Sequence, residues 1–128
     1  MAHVPWIWSD SFYVDIKGKS AVALKLQFLQ AVNATPGITV LSSDTHEFDG
    51  GGIIVLVSLA ESHAALHTWP EHGIGWVGLF TCGDEASLAS FRREVTARVG
   101  DVLDLHHSDA VALTMHAAPP TQEPDSRC

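Results

Sequence analysis

The hydrophobic positions of this chain change period along its length, and each change marks an element. Phe12 to Ile16 reads as a short strand closed by Gly18. From Ser20 to Ala34 the period lengthens: Ala21, Leu24, Phe28 and Val32 recur every three or four residues and share one face of a helix. Ser20 fits the N-cap, and Thr35-Pro36-Gly37 ends the helix, because Pro cannot continue it and Gly turns freely. Ile38 to Leu41 resumes as a strand running on towards Phe48, and Asp49-Gly50-Gly51-Gly52 predicts a hairpin turn. Ile53 to Leu59 is nearly continuous and rich in β-branched residues, which predicts a central strand buried on both faces or nearly so. Ala60 to Trp69 and Ile74 to Thr81 follow as strands joined by Pro70-Glu71-His72-Gly73. A second helix starts at Asp84, with Leu88, Phe91 and Val95 on one face and Gly100 at its end. Val102 to Leu105 and Val111 to Met115 carry weaker strand signals. Ala117 to Cys128 holds three prolines and few apolar residues, which predicts a disordered tail.

This order predicts an α+β two-layer sandwich, with two helices on one face of a mainly antiparallel sheet. Residues 1–116 make one domain and 117–128 the tail. Strands this apolar leave the other sheet face in need of cover, and a homodimer supplies it.

Composition narrows the class. Of 128 residues, 46% are hydrophobic and 17% charged, which fits a globular chain and not a disordered one. Fifteen acids against seven bases leave a net charge of −8, and no Lys/Arg cluster offsets it, so no nucleic-acid partner is expected. The densest apolar run, Ile53 to Leu59, is far short of the roughly 20 residues that span a bilayer. Met1 to Trp8 lacks the basic and apolar regions of a signal peptide. A cytoplasmic protein with reduced Cys82 and Cys128 and no membrane partner is the expectation.

One segment carries chemistry beyond architecture. Ala60-Glu61-Ser62-His63-Ala64-Ala65-Leu66-His67-Thr68-Trp69-Pro70-Glu71 gathers two carboxylates, a hydroxyl and two imidazoles, and Phe80-Thr81-Cys82-Gly83 adds a thiol. On a regular strand Ser62, Ala64 and Leu66 share one face, while His63, Ala65, His67 and Trp69 share the other. Such a strand does not put His67 beside Ser62; a bend near Ser62 is needed. His63 and His67 have a spacing that serves metals on helices, and no third ligand is placed, so no metal is expected. Ser62 with His67 could be a hydrolase pair, but no GxSxG elbow surrounds the serine. Cys82 could be a small core residue, and His106-His107 reads as a solvated doublet.

Taken together, Glu-Ser-His-x-x-x-His-Thr-Trp-Pro-Glu followed by Phe-Thr-Cys-Gly, within a block from about His46 to Gly83, resembles the short-class bacterial and archaeal S-adenosylmethionine decarboxylases, which are pyruvoyl-dependent. The resemblance implies a proenzyme that cleaves itself between Glu61 and Ser62 into residues 1–61 and 62–128. Ser62 Oγ would attack the Glu61 carbonyl, the amide would become an ester, and loss of the Ser62 α-proton would eliminate the Glu61 carboxylate. The dehydroalanine left behind would hydrolyse to a pyruvoyl group at the new N-terminus. That pyruvoyl group, generated from Ser62, is the implied cofactor, forming a Schiff base with the substrate amine and accepting the electrons left by CO₂. His67 matches the family's processing base and Cys82 its proton donor. Phe48 and His67 match the residues that cover the two faces of the adenine, and Glu71 the acid that holds the ribose hydroxyls.

In the family the dimer interface contributes to the site, so Phe48 would serve a neighbouring subunit. The implied activity is decarboxylation of S-adenosylmethionine to the aminopropyl donor for spermidine synthesis. The chain departs from the family at Ile54, which stands where a serine eight residues before the cleavage site is usual; Ser58 is the nearby hydroxyl. Two alternatives remain at this stage. One is a pyruvoyl-dependent decarboxylase of ornithine or arginine, the other a non-processing, non-catalytic homologue.

Overall fold

Burial along the strands shows how the sheet is made. A computed structural model describes residues 6–14, 21–99, 103–105 and 111–112. In β3 (Ile53–Leu59) the buried residues are Ile53, Val55, Val57 and Leu59, while Leu56 is 51% exposed. The continuous apolar run therefore has only one covered face, and the expected two-sided burial does not hold. Leu56 is apolar on a surface that no element among the described residues covers. β2 (Val40–Glu47), β4 (Ser62–Trp69) and β5 (Ile74–Thr81) extend the sheet on either side of β3.

The strand order is β2-β3-β4-β5-β1-β6, and every described pairing is antiparallel. β1 (Trp6–Val14) pairs with β5 along eight residues. Its outer edge takes β6 (Leu103–Leu105) at one end and β7 (Val111–Ala112) at the other. β1 begins at Trp6, six residues before the expected Phe12. Trp6-Ile7-Trp8-Ser9-Asp10 runs three apolar residues together, and the inward position after Trp8 is the acid Asp10, which is buried, so no period of two is visible there.

Helices α1 (Ala21–Ala34) and α2 (Glu85–Val99) lie against one face of the sheet, as the apolar spacing predicts. Leu24, Phe28, Ala31 and Val32 of α1 meet Leu88, Phe91 and Val95 of α2 and the inward sheet residues Trp8, Val55, Val57, Leu66, Val77 and Leu79. Phe91 sits edge-on to both Trp8 and Phe28, at centroid distances of 5.8 and 6.2 Å. Edge-to-face contacts of this kind add about 0.5–1.5 kcal/mol each beyond burial. Gly37 ends the turn after α1 with φ of +83°, a conformation that favours glycine, and a Cβ there would stand 2.6 Å from Ser87 Oγ. Ser87 Oγ–H donates to the Pro36 carbonyl (3.2 Å), tying α2 to that turn. The fold is the expected two-layer α+β sandwich with both helices on one side. Gly18, Ser20, Gly100, His106-His107, Met115 and the 117–128 tail lie outside the described residues.

The opposite face is laid out in rows by the strand register. One row runs His46, Ile54, His67, Trp76; the next Asp44, Leu56, Ala65, Gly78; the third Ser58, His63, Phe80, Ile7. Candidate chemistry occupies the two outer rows, with Leu56, Ala65 and Gly78 between them and Asp44 at the edge.

Candidate active site

The residues singled out above fall into two groups at opposite ends of β4. At its start, a turn over Ala60 and Glu61 brings the chain out of β3. Ala60 N–H donates to the Thr39 carbonyl (3.0 Å), and Thr39 N–H donates to Glu61 Oε1 (2.7 Å). Glu61 is thus held at both its backbone neighbour and its carboxylate. Its carbonyl accepts the Cys82 N–H at 3.1 Å, and Cys82 Sγ lies 3.2 Å from the same oxygen. An N–H aimed at a carbonyl oxygen is the arrangement that stabilises charge developing there during attack on the carbonyl carbon.

Ser62 follows with φ of +154°, a positive value that side-chain-bearing residues rarely adopt, at a cost on the order of 1–3 kcal/mol. Its hydroxyl lies 3.2 Å from His63 Nδ1. Strand alternation sends neighbouring side chains to opposite faces. The unusual backbone at Ser62 breaks that alternation, and the bend required by the sequence argument is found there. It brings Ser62 to His63, however, and not to His67. His63 stacks flat on Phe80, at 5.4 Å and 4° between planes. Ser58 pairs across from His63, so its hydroxyl belongs to this end of the strand and not to the end where Ile54 pairs with His67.

Cys82 is disulfide-bonded. Its contact with the Glu61 carbonyl is therefore a sulfur–oxygen approach and not an S–H bond, and a proton-donating thiol at this position requires reduction. The other cysteine of the chain, Cys128, lies outside the described residues.

At the far end of β4, His67 pairs with Ile54 on one side and Trp76 on the other. A cavity of about 670 Å³ opens here, lined by Phe48, Asp49, Gly52, His67, Trp69 and Glu71, among others. The Phe48 ring is nearly parallel to the His67 ring (16°, centroids 6.1 Å apart), and Trp69 lies 3.7 Å from His67 on its own strand. Phe48 N–H donates to the Gly52 carbonyl (2.8 Å), closing the expected glycine hairpin. That turn does more than reverse the chain. A Cβ on Gly52 would stand 3.0 Å from the Thr68 carbonyl and 3.4 Å from Pro70, a tight fit that a bare Cα avoids at the cavity wall. Burial holds the His67 imidazole below its ordinary value of 6.5, with the Glu71 carboxylate pulling weakly the other way. His67 is consequently neutral at pH 7 and able to accept a proton.

The separation of the two ends is large. Five residues of strand at about 3.3 Å each put His67 roughly 16 Å from Ser62 along β4. His67 cannot act on Ser62 of its own chain, nor can His63 and His67, about 13 Å apart on the same estimate, hold one metal ion. Phe48, His67 and Glu71 do come together, as do Glu61, Ser62 and Cys82. His63 is a partner of Ser62 that the sequence argument placed on the wrong side. No helix among the described residues is long and apolar enough to cross a membrane.

Comparison with known proteins gives a family and a fold. Residues 17–101 match the family model described as S-adenosylmethionine decarboxylase. An S-adenosylmethionine decarboxylase proenzyme of Parasynechococcus marenigrum is 40% identical over 85 residues, covering 52% of this chain and 66% of that protein. The proenzyme of Aquifex aeolicus is 37% identical over 78 residues, covering 61% of this chain and 58% of that protein. The matches thus span about two thirds or less of the curated relatives' lengths. The crystal structure of the adenosylmethionine decarboxylase from Aquifex aeolicus superposes with a TM-score of 0.72 at 24% identity, covering 95% of this chain and all of that one, and establishes likeness of fold.

Proposed function

The chain belongs to the S-adenosylmethionine decarboxylase family, and we propose that it is a proenzyme that cuts itself at Glu61–Ser62 and then decarboxylates S-adenosylmethionine. The observation that carries this reading is the scissile end of β4. A carbonyl held by the Cys82 backbone N–H and a hydroxyl on the next residue are what an internal acyl shift needs. Ser62 in a strained backbone conformation fits a residue destined for conversion to a pyruvoyl group, because cleavage releases the constraint. That group supplies a ketone that condenses with an α-amine and draws off the electron pair left when CO₂ departs.

The chain's own residues divide the remaining work. Phe48 and His67 hold a flat base between them, Glu71 takes the ribose diol, and a reduced Cys82 returns a proton to the α-carbon of the substrate. His67 also serves as processing base, and its neutral state suits removal of the Ser62 α-proton. Since His67 lies far from the Ser62 of its own chain, the complete site takes Ser62 and Cys82 from one copy and Phe48, His67 and Glu71 from another. Pairing of the apolar sheet faces in a homodimer brings the two ends together in two equivalent sites. That pairing covers Leu56 and its row and leaves two sites, each open to a small-molecule substrate. The product is the aminopropyl donor for spermidine synthesis, and the compartment is the cytoplasm, where Cys82 is reduced.

Denaturing mass spectrometry of the purified protein should give residues 1–61 and a 62–128 fragment blocked at its N-terminus. Release of CO₂ should be faster from S-adenosylmethionine than from ornithine or arginine. An intact chain after prolonged incubation, or faster turnover of a diamino acid, overturns the reading.

A further inference from the structure

On the basis of the self-cleavage just described, we propose that His63 is the general base that takes the Ser62 hydroxyl proton in the first step. Three observations carry it. His63 Nδ1 is 3.2 Å from Ser62 Oγ, within reach of direct proton transfer. The imidazole lies flat on Phe80, which fixes the plane of the ring and so the direction of Nδ1. Of the other acid–base groups, the Glu61 carboxylate accepts the Thr39 N–H, the chain's own His67 is roughly 16 Å away along the strand, and His67 of the partner subunit is occupied with the later loss of the α-proton. With His67 placed at the later loss of the α-proton, this first proton still needs an acceptor.

The step balances without an outside reagent. A neutral His63 with its proton on Nε2 accepts the Ser62 Oγ proton on Nδ1. The Oγ electron pair forms a bond to the Glu61 carbonyl carbon, and the carbonyl π pair moves onto the oxygen that the Cys82 N–H already contacts. When the C=O bond re-forms, the C–N bond breaks, and the nitrogen of Ser62 leaves with the proton returned by His63. The product is an ester between Glu61 and Ser62 Oγ with a free α-amine on Ser62, and no net proton is gained or lost.

The test follows cleavage of the full-length proenzyme, freshly expressed and purified, by denaturing mass spectrometry. The variants are His63→Ala and His63→Phe; the second keeps a flat ring on Phe80 but has no basic nitrogen. Both should cleave at least about 100-fold more slowly than wild type, the low end for general acid–base catalysis. Added imidazole should restore part of the rate in His63→Ala but not in His63→Phe, where the ring fills the space. Hydroxylamine cuts esters and spares amides, so it should release no fragments from either variant, because the block precedes ester formation. Rapid hydroxylamine cleavage of uncleaved His63→Phe would show that the ester forms without His63 and overturn the assignment. So would self-cleavage of both variants at the wild-type rate. If wild type itself stays intact, the self-cleavage reading has failed, and this assignment fails with it.

Discussion

The two ends of β4 are built by different means. At the Ser62 end the machinery is mostly backbone: a positive φ, a carbonyl clamped by the Cys82 N–H, and a turn fastened to Thr39. At the His67 end it is side chains and space: aromatic rings, a carboxylate, and a glycine turn that leaves a cavity open. In the proposed function the first end serves one reaction on the chain itself, where strain and a fixed carbonyl matter more than room. The second is organised to admit a separate molecule, and its flat walls suit a base and its acid a diol. A strand of eight residues keeps the two apart, so in the proposed function neither end is an active site alone.

Disabling each end separately sharpens this contrast. Ser62→Ala should abolish cleavage outright, leaving a single 128-residue chain in denaturing mass spectra, yet equilibrium dialysis should still detect S-adenosylmethionine binding at the untouched His67 end. Fragments from this variant would show that the cut lies elsewhere. Cys82→Ala keeps the backbone N–H and should still cleave, while CO₂ release falls by roughly 10²–10⁴, the span of a lost general acid. Wild type assayed without reductant should show a milder form of the same loss, reversed by dithiothreitol, because the disulfide occupies the thiol.

Phe48→Ala acts at the other end alone. Loss of one stacking face should raise KM for S-adenosylmethionine about tenfold, equivalent to about 1.4 kcal/mol, with cleavage unchanged. An unaltered KM would remove Phe48 from the base-binding role.

The smallest effect is in stability against pH. The folded His67 has a pKa below 6.5, so the folded state binds fewer protons than the unfolded chain as the pH drops past that value. The cost is absent above pH 6.5 and grows as the pH falls towards the folded pKa. Thermal melts between pH 7.5 and 5 should therefore fall less steeply for His67→Gln than for wild type; identical slopes would contradict the burial argument.

Much of the fold was legible from apolar spacing, because both helices and the strands from Ile53 to Thr81 bury one regular face. The start of β1 was not, since Asp10 occupies an inward position where an apolar residue is expected. At the site, the residue types were readable but their grouping was only half so. Period two correctly separates Ser62 from His67, and for the same reason wrongly separates Ser62 from His63. The backbone angle at Ser62 that overrides the period has no signature in a Glu-Ser-His tripeptide. Likewise, Asp49-Gly50-Gly51-Gly52 announces a turn, but the close approach of Gly52 to Thr68 and Pro70 depends on a contact with the next hairpin strand.

The central claim is that one working site takes its two ends from two chains. Co-expression of Ser62→Ala with His67→Ala tests it directly, because each variant alone lacks one end in every site. If the ends come from different copies, random pairing makes half of the dimers mixed, and each mixed dimer has one intact site of two. Cleavage and CO₂ release should then return to about a quarter of the wild-type level. If both ends belong to one chain, no pairing of these variants contains an intact site. Activity at background in the co-expressed protein, beside an active wild-type control, would contradict the account.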